Sequence, residues 1–382
     1  QPKNELKEQD YLDFYKSLPV LDEAPLTHLH LNVDAPVQFQ ALLYFPKTSE
    51  DVMGFTQNDP GVDLYSKKIL IQKGNKEILP EYFRFIKGVV DSEELPLNIS
   101  RETVQSNVKV KKIQSFLVRK LLEHLTQLKK EDAEKYREIW NAFSRYFKEG
   151  ILKDWDSREK LAPLLLFECS TKAEGDLIDL ETALKMIEGK QDKIFYISGG
   201  QRQNLKNNPA LEAFTEQDYP VLLLTDPLDE FVVEHLREYQ KKPFANILSA
   251  DINIDRRSKE EKKDERQPPA ELPGFIGYLK TTFSSKVADV RASERLVNSP
   301  CLLVIDSNAP SAQMEKLMKM SDKTYQFQKR ILEINPENPL IRNLANLHEK
   351  EPLSPRLKIA SQMIIDLALL KEGLIDSIDE IM

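Results

Sequence analysis

The chain has 382 residues, 41% hydrophobic and 30% charged, with a formal net charge of −8. That length exceeds one ordinary core and predicts two or three domains. The acidic balance speaks against a nucleic-acid partner, and with no apolar run near the roughly 20 residues that span a bilayer and nothing like a signal peptide, a cytoplasmic protein with no membrane partner is expected.

The chain opens QPKNELKEQD, without Met, which suggests a piece of something longer. In the first 90 residues, 29–31, 37–45 (VQFQALLYF) and 68–72 (KILIQ) have strand character, and 49–64 reads as a loop with a turn at Asp59-Pro60-Gly61. After Ser100 a long helix is predicted, because Val108, Ile113, Phe116, Leu117, Leu121, Leu125 and Leu128 recur at three- and four-residue steps. A second helix over about 131–149 gathers Tyr136, Ile139, Trp140, Phe143 and Phe147 on one side. Helices are also expected over 158–167 and 180–187.

Strands and helices then alternate: strand 193–198, helix 208–214, strand 220–226, helix 229–239. That order implies a small α/β/α unit with a parallel sheet. Gly199-Gly200 lacks the surrounding pattern of a phosphate loop and is read as a turn. The clearest boundary is 255–266 (DRRSKEEKKDER), where only Ser258 is uncharged. Beyond it come a helix over 275–283, two strands joined by a turn within 284–306, and a short helix carrying Met314, Leu317, Met318 and Met320. The last 29 residues read as two helices, with Ser354 as N-cap, Pro355 at the first helical position and Gly373 as the stop. Leu357, Ile364, Leu367, Leu370, Leu374, Ile375 and Ile378 give them an apolar face. A terminal helix pair cannot bury such a face alone, so it either forms a symmetric dimer or docks back on its own domain.

Chemistry is sparse. His28 and His30 alternate along a strand without a third ligand, and Cys169 and Cys301 sit singly in apolar runs, so no metal site is expected. No cofactor fingerprint or catalytic triad is recognisable. The unusual feature lies in 79–105, LPEYFRFIKGVVDSEELPLNISRETVQ, where Arg101 falls in the first turn of a helix start. The partial positive charge there makes an Arg unfavourable by about 0.3–1 kcal/mol. Either an anion outside the helix offsets this, or Arg101 pairs with Glu93, Glu94 or Glu102 or points into water.

GVVDSEELPLNISRETVQ resembles the signature of the heat-shock protein 90 chaperones. DYLDFYKSL, QFQALLYFPK, LTDPLDEFVVEHLREYQKKPF, SERLVNSPCLLV and LEINPENPLI resemble, in the same order, further segments of that family's middle and C-terminal domains. The ending IDEIM, with neither an acidic recruitment peptide nor a retention signal, is most similar to the bacterial form. LPVLDEAPLTHLHLN and Pro227 depart from the usual pattern and leave the subfamily open.

The resemblance implies a mixed α/β (α+β) fold. A three-layer α/β/α large subdomain of the middle domain would cover 1–130, a helical connector 131–190 and a small α/β/α subdomain 191–250. An α+β dimerisation domain ending in a helix pair would cover 255–382. It further implies a chaperone whose N-terminal ATP-binding domain lies outside this chain, with ATP and Mg2+ bound there and none in this part. Arg101 would reach the terminal phosphate, Asn98 and Ser100 would shape its loop, and Gln105 would lie one turn later on the same face. Expected partners are a second copy, client proteins at Met314, Leu317, Met318 and Met320, and other chaperones. Two alternatives stand beside this reading: a nucleotide-independent dimeric binding scaffold, and the transducer of another split ATPase, which would present a lysine instead of this loop.

Overall fold

Two compact units, 1–166 and 167–382, divide the chain in a computed structural model that describes residues 5–20, 24–48, 61–95, 108–252, 254, 269–306 and 309–374. Among these, twelve α-helices and three mixed sheets make an α+β protein.

The first unit begins with α1 (Glu8–Ser17), whose first turn is closed by the Lys7 N–H donating to Asp10 at 2.7 Å. Its buried Tyr11 and Tyr15 face a five-stranded sheet, and the Tyr11 hydroxyl lies 2.9 Å from His30 Nδ1. The strands are β1 (Thr27–Val33), β2 (Phe39–Phe45), β3 (Val62–Ser66), β4 (Ile69–Asn75) and β5 (Lys87–Asp91), in the order β1-β2-β5-β3-β4. The sequence reading finds β1, β2 and β4 but takes the start of β3 as loop and gives β5 no strand character. VDLYS and KGVVD are five-residue segments that pair parallel to each other; VDLYS also forms a hairpin with β4 and KGVVD runs antiparallel to the distant β2, pairings that supply what local pattern does not. Gly88 is required in β5: at φ +144° a Cβ would lie 2.0 Å from the Leu42 carbonyl oxygen.

The predicted faces of the two long helices are the buried ones except at Val108, which is 65% exposed while Val110 is buried. α2 (Val108–Glu131) buries Ile113, Leu117, Leu121 and Leu125, and α3 (Ala133–Lys153) buries Tyr136, Ile139, Trp140, Phe143 and Phe147. Phe143 stacks on Phe85 with centroids 4.0 Å apart, and Asp132 caps α3 through the Lys135 N–H. The helix expected over 158–167 is shorter. α4 (Arg158–Leu161) passes into a single 3-10 turn containing Pro163 and then β6 (Leu166–Cys169), because proline lacks the N–H that would continue the helix.

The second unit contains β7 (Ile178–Asp179), α5 (Leu180–Ile187), β8 (Ile194–Ser198), α6 (Arg202–Lys206), α7 (Glu212–Glu216), β9 (Val221–Leu224), α8 (Pro227–Leu236), β10 (Glu238–Tyr239) and β11 (Lys242–Asn246). The sheet order is β10-β11-β8-β9-β6-β7; β11, β8 and β9 run parallel, and antiparallel β6 makes the sheet mixed. Ile197 and Val221 of this layer share a core with Leu302 and Val304. Glu212 strengthens that junction by accepting the N–H groups of Val297, Asn298 and Ser299 at 2.7, 2.8 and 3.1 Å.

The remaining elements are α9 (Leu272–Thr282), β12 (Val287–Ala292), β13 (Cys301–Val304), α10 (Ala312–Ser321), β14 (Arg330–Ile334), α11 (Pro339–Lys350) and α12 (Pro355–Glu372). The two strands expected as neighbours within 284–306 do not pair. β14 lies between them, parallel to β12 and antiparallel to β13. Glu333 of β14 explains the insertion: buried, it accepts from Arg291, Ser293 and Arg295, all from the β12 side. α12 stops at Gly373, which takes the left-handed conformation at φ +66°. The second terminal helix and the charged 255–266 segment lie outside the described residues.

Candidate functional site

Three surfaces carry the candidate residues. Asn98, Ser100, Arg101 and Gln105 lie outside the described residues, but both flanks of their segment are described. On one side, β5 delivers Ser92, whose hydroxyl donates to the Gln38 carbonyl at 2.6 Å, and Leu95, whose carbonyl accepts from the Ser66 hydroxyl at 2.6 Å. On the other, Lys109 of α2 pairs with Glu94 at 2.8 Å, so the two flanks are joined directly. The Gln38 N–H first, and Lys109 next, hold the Glu94 carboxyl below the usual carboxylate range. Glu94 is therefore already engaged by two donors.

The second surface is α10. This amphipathic helix has one fully buried residue, Glu315. Met314 and Leu317 are half-buried, while Met318 is 40% and Met320 80% exposed. Glu315 accepts from the Tyr325 hydroxyl at 3.0 Å and the Gln328 N–H at 2.7 Å, and it forms an ion pair with buried Arg330. At the other end Ser311 caps the helix through the Met314 N–H at 3.1 Å and donates its hydroxyl to Glu230 of α8 at 2.7 Å. Burial pushes the Glu230 carboxyl above its ordinary range, against the pull of the Ser311 and Ser198 hydroxyls. Polar anchors thus fix the inside of α10 and leave its methionines outward. Glu230, Ser311, Glu315 and Arg330 escape sequence reading because each is an ordinary polar residue there; only its distant partner gives it a role.

The third surface is α12. Leu357 is fully buried and, with Ile365 and Leu374, belongs to the core of its own unit. Ile364 and Leu370 are half-buried, and Leu367 is exposed; Ile375 and Ile378 lie outside the described residues. The outward apolar stripe of α12 is Ile359, Met363 and Leu367, at four-residue steps. The helix therefore has two apolar faces, one spent on its own core. Among the described residues no helix is long and apolar enough to cross a membrane, and no group of three His, Cys, Asp or Glu side chains is set to hold a metal. Cys169 is buried, and burial pushes the Cys301 thiol up to about 12, so neither is poised as a nucleophile.

Comparison with known proteins adds the family. The model described as "Hsp90 protein" matches residues 1–379. The chain is 36% identical over 373 residues to "Chaperone protein HtpG" of Geobacter sulfurreducens, covering 97% of this chain and 57% of that protein. It is 40% identical over 385 residues to "Chaperone protein HtpG" of Chlorobaculum tepidum, covering 99% of this chain and 61% of that protein. The chain thus spans about six tenths of the length of these curated relatives. With nearly every residue matched, the chain belongs to the Hsp90 protein family.

Proposed function

We propose that this chain is the middle and C-terminal part of a cytoplasmic ATP-driven chaperone, laid out in the middle-domain layers and dimerisation domain that the family resemblance implies. Clients that are unfolded or partly folded dock on α10. What carries this reading is the burial pattern of that helix: Glu315 inside, Met318 and Met320 outside. Methionine side chains are flexible and polarizable, so they adapt to many apolar partners, which a chaperone requires.

ATP and Mg2+ bind in a nucleotide domain outside this sequence, and Arg101 completes that site when the domains close. A guanidinium is always charged and makes forked contacts with phosphate oxygens, so it neutralises charge developing on the transferred phosphoryl group. Asn98 and Ser100 shape the presenting loop, and Gln105 approaches the phosphates or the attacking water. The doubly anchored flanks of the segment, Ser66–Leu95 and Glu94–Lys109, support this reading because a finger must be delivered from a firm base. Alone, the chain binds ATP weakly and does not hydrolyse it. A second copy joins through the Ile359, Met363 and Leu367 stripe of α12, and other chaperones hand clients over.

The test is suppression of heat-induced aggregation of a model client by residues 1–382. Met318→Ser with Met320→Ser should weaken suppression several-fold without lowering the melting midpoint of the chain. Unchanged suppression would remove α10 from client binding.

A further inference from the structure

On the face of the first unit's sheet that carries α1, a cavity of about 540 Å3 opens between the helix and strands β2, β5 and β3. Strand register sets its floor. Asp91 of β5 lies directly between Gln40 of β2 and Tyr65 of β3, and Val89, two residues back on the same face, is opposite Leu42. Asp91, Tyr65, Leu42 and Val89 are half-buried and Gln40 is exposed, so each keeps surface open to solvent. Phe14 of α1, 36% exposed, stands over this floor as a wall. Among the described residues the Asp91 carboxylate accepts only the Lys68 main-chain N–H, at 3.3 and 3.2 Å from its two oxygens. Glu149 and Glu333, also sheltered, are each held by an arginine.

We propose that this cavity receives an arginine side chain of a partner polypeptide, with the guanidinium on Asp91 and the aliphatic stem along Leu42 and Val89. One N–H shared by both oxygens leaves most of the lone pairs of Asp91 open. A guanidinium matches them with two parallel N–H groups and has further donors for the Gln40 side-chain carbonyl in the same row. Its flat face stacks on aromatic rings, which Tyr65 and Phe14 supply on either side. The stem of an arginine is apolar, and the second row of the floor, Leu42 and Val89, is apolar too. The lining charges select a cation: the carboxylates Asp10 and Asp91 stand against Lys68 alone, and His30 is engaged by the Tyr11 hydroxyl. A metal ion is a poorer match, because among the described residues no third carboxylate or imidazole is set beside these two. The volume is in the range of small-ligand sites, about 300–1,000 Å3. This site rests on neither the α10 surface nor the nucleotide reading.

The test uses residues 1–382 with labelled Leu and Val methyl groups and two capped tetrapeptides as probes. One is acetyl-Ala-Arg-Leu-Ala-amide; the other replaces arginine by citrulline, which keeps the shape and removes the charge. Methyl NMR should show saturable shifts at Leu42 and Val89 with the arginine peptide, and the citrulline peptide should bind about tenfold or more weakly. Asp91→Asn, whose amide oxygen still accepts the Lys68 N–H, should weaken the arginine peptide by a similar factor at an unchanged melting midpoint. Absence of saturable shifts at these methyls, equal affinity for the two peptides, or undiminished binding by Asp91→Asn would each overturn the assignment. The comparison of the two peptides is made on the unaltered chain, so it decides the matter even if Asp91→Asn fails to fold.

Discussion

If the outward stripe of α12 joins two copies, charge placed on it should separate them. Ile359, Met363 and Leu367 are 60%, 54% and 57% exposed, so a partner could remove a little over half of each from water. Full burial of such a side chain is worth about 1.5–3 kcal/mol, giving about 0.9–1.8 kcal/mol for the exposed part. A two-fold dimer uses each residue twice, so six side chains supply about 5–11 kcal/mol before the cost of association. Met363→Glu with Leu367→Glu deletes four of the six, about 4–7 kcal/mol, and brings like charges together. That moves the dissociation constant by roughly three to five powers of ten.

Sedimentation velocity of the 44.1 kDa chain at micromolar concentration should show a dimer for the parent and a monomer for the double variant. Deleting 354–382 would be a poorer test, because it also removes Leu357 and Ile365 from the core. Leu357→Ala provides the contrast: a fully buried leucine lost should destabilise the unit by about 2–5 kcal/mol. A double variant that still sediments as a dimer would refute the assignment of this stripe.

Two further outcomes follow from the other surfaces. In a protein joined to its nucleotide domain, Arg101→Ala should reduce ATP turnover by well over about tenfold, toward the 10³–10⁵ of other arginine fingers, with nucleotide affinity nearly unchanged; wild-type turnover would exclude the finger. Glu333 gives a pH dependence: burial pushes its carboxyl up, but the bonds and charge of Arg295, then Arg291 and Ser293, outweigh it and hold it below the usual range. A depressed folded value means its contribution is present above the ordinary carboxylate value of about 4.3 and fades as pH falls through the folded one. Chemical denaturation across that acid range should show the loss, and Glu333→Gln should flatten it; an equal slope in both would discount the cluster.

The parts of the fold legible in the sequence are those whose signal is local. Ile113, Leu117, Leu121 and Leu125 repeat within one helix, so their buried face follows from spacing. Ser354, Pro355 and Gly373 bracket α12 at its observed ends. β14 is different. Glu333 lies between Leu332 and Ile334, all three of them buried, and a glutamate in a short strand gives no sign that Arg291 and Arg295 await it some 40 residues earlier. Nor could spacing separate the two faces of α12, because Leu357 and Leu367 are equally apolar and only packing distinguishes them. The signature around Arg101 was recognisable as a string of residues, whereas its anchoring by Ser66 and Lys109 depends on strand order.

The same distinction governs α10, where a polar network decides which way an apolar helix faces. Ser311 serves two partners at once, the Met314 N–H and the Glu230 carboxylate. Ser311→Ala should remove an N-cap worth about 0.5–2 kcal/mol and leave Glu230 short of a donor. The Ser311 hydroxyl stabilises the ionised carboxylate, so its loss matters less where Glu230 is protonated. Because burial holds the folded Glu230 value above the unfolded one, ionising it opposes folding as pH rises through that interval. The deficit of Ser311→Ala should therefore be larger above the raised folded value than near the ordinary carboxylate value of about 4.3, by about a kcal/mol. Amide exchange within α10 should quicken by several-fold with the same pH trend, once the intrinsic exchange rate is divided out. A deficit that is flat with pH would mean that the Ser311 bond to Glu230 contributes nothing and that Ser311 acts through its cap on the Met314 N–H alone.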